Sequence, residues 1–356
     1  AVTPDDNEVW VACEASDSVI VVDQNKKKKV SEISVKGQPH DLTFSPDGSL
    51  VYVTNRLDDS VSVIDRSSRK LLDTVAVGDE PHALLTDPSG KSLYVLNTSD
   101  DSISILDTET LEESRRLQAS RSPWSASLSP DGSTMLVTNT LSRFIPFRTP
   151  SMSEVTVIDV ERQVVTNRIV VPATNLLQGV AWHPSGEFAL ITMLRTKNLV
   201  PMTRLMQGWT ITNGLGIIWK NGEVDQVLLD EPDIAFPDPA DVEFAADGKY
   251  AMVTSSTSSR IAMVDVEKLL ELIKSSSPDE RKNIIPNHLG FPTEFIVKQI
   301  QTGDSPRGLA ASPDGKTVYT ANALDDTLNV IDVESLSTVA TIDLGGPKEI
   351  TQIRYG

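Results

Sequence analysis

Apolar and polar residues alternate in short runs along most of this chain. Leu50 to Asn55 reads LVYVTN and Ser60 to Asp65 reads SVSVID, with β-branched and aromatic side chains bounded by Gly, Asn and Asp turn formers. Runs of this kind predict antiparallel strands, because a helix would space its apolar residues three and four apart. One order recurs: a turn reading PDG or a variant, an alternating strand, a second strand ending in Asp, then a third. The turns are TPDD at Thr3, SPDG at Ser45, DPSG at Asp87, SPDG at Ser129, HPSG at His183, AADG at Ala245 and SPDG at Ser312. Their second residues, Pro4, Pro46, Pro88, Pro130, Pro184, Ala246 and Pro313, are 42, 42, 42, 54, 62 and 67 positions apart. Seven units follow, the first at a fixed period and the later ones carrying insertions. A four-stranded sheet with two apolar faces is not stable alone, whereas several stacked radially bury those faces against one another.

The repeats resemble the YVTN family of bacterial and archaeal propellers, named for the motif standing here as Tyr52, Val53, Thr54 and Asn55. Weaker copies are Tyr94 to Asn97, Leu136 to Asn139 and Tyr319 to Asn322. The resemblance implies an all-β fold, a seven-bladed β-propeller forming one domain over residues 1–356. It implies little about activity, since propellers host enzymes, adhesins and scaffolds. Thr3 to Asp23 supply the second and third strands of a unit and Val30 to Val35 a fourth. Gly345 to Gly356 (GGPKEITQIRYG) matches an innermost strand. The first blade is therefore expected to be closed by the C-terminal strand, which removes two exposed sheet edges.

Longer units mark where the chain departs from bare scaffold. Loops joining the second to the third strand, and the fourth to the next first, lie on one face, the top. Three insertions reach it: residues 142–153 (SRFIPFRTPSMS), 198–213 (NLVPMTRLMQGWTITN) and 230–238 (DEPDIAFPD). Their Phe, Trp, Met, Pro and Arg content is that of protein interfaces. Phe144, Phe147, Arg148, Met202, Arg204, Met206, Trp209 and Phe236 are the interface candidates. Two readings fit, a docking surface or loops that cover their own blades. On the opposite face residues 266–293 form an insertion in blade 6. It opens with a short helix whose apolar stripe is Val266, Leu269, Leu270 and Ile273. That stripe serves either the blade's own underside or a second partner.

Composition narrows the classes. Lys and Arg number 32 against 50 Asp and Glu, a formal charge of −18, which disfavours nucleic acid and anionic membrane surfaces as partners. Cys13 is the single cysteine, so no intrachain disulfide, cysteine metal knuckle or CxxCH haem attachment can form. No run of eighteen apolar residues predicts a membrane span. A first residue of Ala suits an exported, processed product or a trimmed chain.

Counting back from each turn places His40, His82, Trp124, Gln178, Ala240, Arg307 and Lys348 in a ring at the mouth of the axial channel. This is the natural place for a small molecule or an ion. His40 and His82 head neighbouring blades in matching Pro-His steps. Two imidazoles could converge there, but zinc or copper needs a third and usually a fourth ligand, and Asp41 and Glu349 flank the ring in unknown directions. A structural role is the plainer reading, and no metal is assigned. HExxH, GxSxG and GxxxxGK[ST] are all missing. His183 and His288 are expected at the surface, and Lys26 to Lys29 at a solvated hairpin tip. In blade 5 the third strand, Leu215 to Lys220, leads through Asn221-Gly222, a hairpin signal. The acids beside it and in the next loop, Glu223, Asp225 and Glu231, are candidates for a gating loop that reaches a partner's active site.

The closing segment, Leu344 to Gly356, resembles the junction at which some YVTN propellers run into a MauG-like di-haem domain. The arrangement is similar to the cofactor-free propeller (β) subunits of hydrazine synthases of anammox bacteria. These multi-haem oxidoreductase complexes make hydrazine from nitric oxide and ammonium. The resemblance implies a chain that is not catalytic alone. Haem c would sit on partners, a multi-haem cytochrome subunit and a MauG-like di-haem subunit, in an exported, periplasm-like compartment or anammoxosome. It implies docking through the top face and gating by an acidic loop, and leaves calcium open. Two other readings stand beside it: a free-standing secreted or cell-surface propeller that binds a ligand or protein, and a lactonase-type hydrolase with a metal at the channel mouth.

Overall fold

Seven antiparallel sheets follow one another along the chain in a computed structural model that describes residues 1–146, 149–196 and 211–346. Blade 2 sets the pattern. Its innermost strand, Pro39–Phe44, pairs with Leu50–Asn55, which pairs with Ser60–Asp65, which pairs with Lys70–Ala76. The two middle strands are buried on both faces, and the outermost is exposed along most of its length. Apolar residues of adjacent blades interdigitate. Trp10, Val19 and Val21 of blade 1 pack on Phe44, Val51 and Val53 of blade 2. Blade 7 closes on blade 1 in the same way, through Tyr319, Leu328 and Val330 against Val9, Val11 and Ile20. The Tyr319 hydroxyl donates to Gln24 Oε1 (2.7 Å) across that seam, and Lys29 Nζ donates to the Leu344 carbonyl (3.0 Å).

The repeated motifs now have physical causes. In the PDG turns the glycine adopts positive φ, +70° at Gly132, and its missing Cβ leaves room for the previous turn's proline. A Cβ there would stand 2.3 Å from Pro88 Cγ. The turns therefore nest from one blade to the next, proline on glycine as far as blade 5, with His183 against Gly248 and Ala246 against Gly315 beyond it. The last residue of YVTN is a buried staple: Asn55 Nδ2 donates to Ser60 Oγ (3.1 Å) and Ser62 Oγ (3.0 Å) across its hairpin. Asn97 does the same with Ser102 and Ser104.

Blade 1 has three strands among the described residues, with Val2 bridged to Val9 and the Ala1 carbonyl accepting from Trp10 N. The closing strand expected from the C-terminus falls on residues 347–356, outside the described residues.

The insertions differ from expectation at their edges. In blade 4, Met152 and Ser153 already belong to the strand Met152–Asp159, paired as far as Pro172. In blade 5 the ladder continues past the usual strand end until Thr196 faces Ile211, so the expected loop at 198–213 is strand again from Ile211. β-Branched residues at Thr196, Ile211 and Thr212 favour this extension. Blades 4 and 5 thus rise above their neighbours on the top face. On the opposite face the helix Val266–Ser275, capped by Asp265 accepting from Lys268 N (3.2 Å), buries Val266, Leu269, Leu272 and Ile273. These join the core shared by blades 5 and 6, so the stripe packs on the underside of the propeller.

Candidate functional site

The channel mouth is a stack. The His40 and His82 rings lie 3.6 Å apart and the His82 and Trp124 rings 3.5 Å apart. Each imidazole is tied to the next blade, His40 Nδ1 to the His82 carbonyl (3.1 Å) and His82 Nδ1 to the Trp124 carbonyl (2.8 Å). A carbonyl only accepts, so Nδ1 carries the proton in both neutral rings and Nε2 is left bare. Burial, then the Arg56 guanidinium, brings the His40 pKa down to about 4. Burial, then the adjacent His40, holds His82 well below the ordinary histidine range. His82 Nε2 is buried without a partner.

This geometry bears on whether the two imidazoles could converge on one ion. The two rings overlie each other with their planes 38° apart and each Nδ1 is spent on a carbonyl, so at most one nitrogen per ring is left, short of the three or four ligands that zinc or copper needs. No group of three or more His, Cys, Asp or Glu is placed to hold a metal ion among the described residues. Asp41 is already engaged, Oδ1 with Leu42 N (2.8 Å) and Oδ2 with Leu84 N (3.2 Å), bridging the inner strands of blades 2 and 3. Asp241 makes the same bridge from blade 6 to blade 7 through Val242 N and Leu309 N. Of the rest of the ring, Gln178 Nε2 donates to Asp238 Oδ1 (3.0 Å), Arg307 is exposed, and Lys348 and Glu349 lie outside the described residues.

Deeper in the channel stand two carboxyls that the repeat count did not single out. Asp241 is pushed up to about 7 by burial, and Glu243 to about 8 by burial and by Asp241 two residues away. Both are half-buried, so solvent touches them while protein surrounds them. Glu243 Oε1 accepts from Phe244 N (3.1 Å). Their signal in the sequence was alternation along Pro239–Phe244, which sends Asp241 and Glu243 to one side of the strand.

The gating candidates separate. Asp225 is 5% exposed, not a surface acid as expected. It accepts from Trp219 Nε1 (2.7 Å) and from Arg281 Nε (2.8 Å), with Arg281 Nη2 on its second oxygen. It fastens the blade 6 insertion to blade 5. Glu223 is exposed at the far end of the strand Ile211–Trp219, while Glu231 lies near its start, where Glu231 Oε1 accepts from Gln299 Nε2 (2.6 Å). Nine residues of strand put them roughly 25 Å apart on opposite faces, so they do not serve one gate.

Among the interface candidates, Phe144 is 87% exposed, and the Arg121 guanidinium lies 4.0 Å from its ring centre. Phe236 is fully buried in the core between blades 5 and 6, a correction to its expected surface role. Asp230 turns that loop inward, accepting from Asn213 N (2.6 Å) and Phe236 N (2.7 Å). Phe147, Arg148, Met202, Arg204, Met206 and Trp209 lie outside the described residues. His183, expected at the surface, stacks on Phe188 at 4.7 Å, and its Nε2 lies 3.2 Å from the Gly248 carbonyl. His288 is exposed as expected.

Comparison with known proteins agrees with the fold. The model of the YNCE-like beta-propeller family matches residues 87–167, and that of the seven-bladed beta-propeller lactonases matches residues 1–83. Hydrazine synthase subunit beta of Kuenenia stuttgartiensis is 29% identical over 171 residues, 48% of this chain and 44% of the relative, so the match spans less than half of that protein. A solved chain of Kuenenia stuttgartiensis hydrazine synthase superposes with a TM-score of 0.87 at 28% identity, covering 93% of this chain and 94% of that one. A seven-bladed β-propeller that follows a hydrazine synthase chain over nearly its whole described course is what this sequence builds.

Proposed function

We propose that this chain is a non-catalytic propeller subunit of an exported multi-haem oxidoreductase assembly of the hydrazine synthase kind, which forms hydrazine from nitric oxide and ammonium. The observation that carries the reading is the likeness to a hydrazine synthase chain across 93% of the protein at 28% identity. The local chemistry supports it. The channel-mouth histidines are committed to neighbouring carbonyls, and Asp41 and Asp241 to backbone N–H groups, so these residues act as structural ties. In this reading haem c belongs to the partners, a multi-haem cytochrome and a MauG-like di-haem chain, and the raised blades 4 and 5 receive them. Glu231, on the same face, is the acid that remains in reach of a docked haem site.

The test is purification of the native protein under mild conditions, with haem absorbance and mass spectrometry of every co-eluting chain. Co-elution with c-type haem chains that form hydrazine is the expected result. A colourless monomer would sink the reading and favour a free-standing propeller. Within the assembly, Glu231→Ala should change turnover while leaving subunit composition intact, and unchanged turnover would remove the gate.

A further inference from the structure

Exposed apolar side chains are unevenly distributed over this protein. Several sit on the outer edge strands, such as Leu72, where single exposed residues are ordinary. Apart from Ile284 in the blade 6 insertion, the others lie on the top face. Leu57 of blade 2, 64% exposed, and Leu324 of blade 7 occupy equivalent loop tips; Phe144 crowns blade 4, and Ile234 the loop before blade 6. Such a concentration on one face marks an interaction surface.

Phe144 is the best-defined element of it. Its ring is exposed yet held, because the Arg121 guanidinium lies beneath it and Arg121 Nη1 donates to the Ser142 carbonyl (2.7 Å). An aromatic side chain fixed in its projecting position loses little entropy on binding, the property of an interface anchor. The charge on the other blades of this face says what flanks the anchor's socket on the partner. Asp58 adjoins Leu57, Asp325 adjoins Leu324 and Asp233 adjoins Ile234, with Asp79 exposed between blades 2 and 3. The fold itself places part of this charge: Asp58 Oδ2 accepts from Gly37 N (2.8 Å) and Asp325 Oδ2 from Asp304 N (2.7 Å), stapling the top loops.

We infer that the top face docks a protein surface carrying an apolar socket for Phe144 and a cationic rim of Lys and Arg. The inference rests on the subunit reading and adds the anchor residue and the chemistry of the partner. Acidic rims and basic rims attract, suppress wrong pairings and make association salt-sensitive.

The experiment uses the full tagged chain expressed in its own host, with partners identified by mass spectrometry. Wild type should retain a haem-bearing partner at 50 mM NaCl and release it progressively towards 500 mM. Phe144→Ser should weaken retention at least about tenfold, and paired Asp79→Asn and Asp233→Asn should flatten the salt dependence. Leu72→Ser, on the outer strand of blade 2, should match wild type. Equal retention by Phe144→Ser, or salt-insensitive retention, overturns the inference. So does loss of Phe144 abolishing only self-association, read by sedimentation, with the haem partner still bound. If no haem-bearing chain is retained by wild type, the subunit reading fails instead.

Discussion

Replacing Asp225 by Ala should release the blade 6 insertion without unfolding the propeller. The carboxylate is nearly inaccessible and is the shared acceptor of Trp219 Nε1 and the Arg281 fork, so it joins a strand end of blade 5 to a segment 56 residues later. Its removal strands the indole N–H, at a cost of about 1 kcal/mol, and the charge-assisted pair, whose Arg281 side rehydrates, at about 2 kcal/mol. A total near 3 kcal/mol corresponds to roughly a hundredfold more local opening. Trypsin cleavage after the exposed Lys282 reads that opening, as does deuterium uptake over residues 276–291. Arg281→Ala should behave similarly, and the double variant should be little worse than either single one, with a coupling of about 2 kcal/mol. Strictly additive effects, or cleavage within twofold of wild type, would refute the idea that this pair holds the insertion.

Other outcomes follow from separate features. Phe236→Ala should cost about 3–5 kcal/mol, because it empties a fully buried site, while Phe144→Ala should change thermal stability by no more than about 0.5 kcal/mol; thermal unfolding of both variants checks the pair. Glu243 is raised from 4.5 to about 8 in the fold. The stability linked to its protonation is therefore complete below about pH 4.5 and lost as pH rises through about 8. Glu243→Gln should show a smaller fall in melting temperature between pH 5 and pH 9 than wild type, and an unchanged fall would contradict the shift. Gly78→Ala places a Cβ 2.5 Å from Asn97 Nδ2 and Asp100 Oδ2 and should cost about 1–3 kcal/mol, whereas Gly308→Ala meets nothing within 4 Å. Calorimetry that finds the two glycine variants equal would count against the packing described.

Much of the architecture is legible in the sequence, because the turn period and strand alternation are local properties with fixed geometric meaning. The stack of His40, His82 and Trp124 shows where such reading stops. Three ring positions at equal spacing foretell neighbouring residues, but not whether imidazoles meet edge to edge or face to face. Asp225 and Phe236 lie beyond that limit for another reason. Asp225 beside Asn221-Gly222 looks like a loop acid until Arg281 arrives from the next blade. Phe236 sits in an irregular loop with no period to reveal which side faces inward, and buried Asp230 decides it. Blade extension to Ile211 was likewise hidden, since β-branched residues near a loop end suit either a strand or a loop.

The bonds from His40 and His82 to the following blade, with Asp17 Oδ1 accepting from Gln38 N (2.8 Å), Thr138 Oγ1 donating to the Gln178 carbonyl, Gln178 Nε2 donating to Asp238 Oδ1, Asp241 Oδ2 accepting from Leu309 N and the Tyr319 hydroxyl donating to Gln24 Oε1, join each blade to the next in a hoop. A hoop carries load as tension shared along its circumference. Force applied at blades 4 and 5 is passed to blades on the far side rather than absorbed as a local hinge. The rim can thus lengthen, acquire loops and exchange side chains while the bore keeps its diameter, and whatever sits on that rim is held at a constant height and angle.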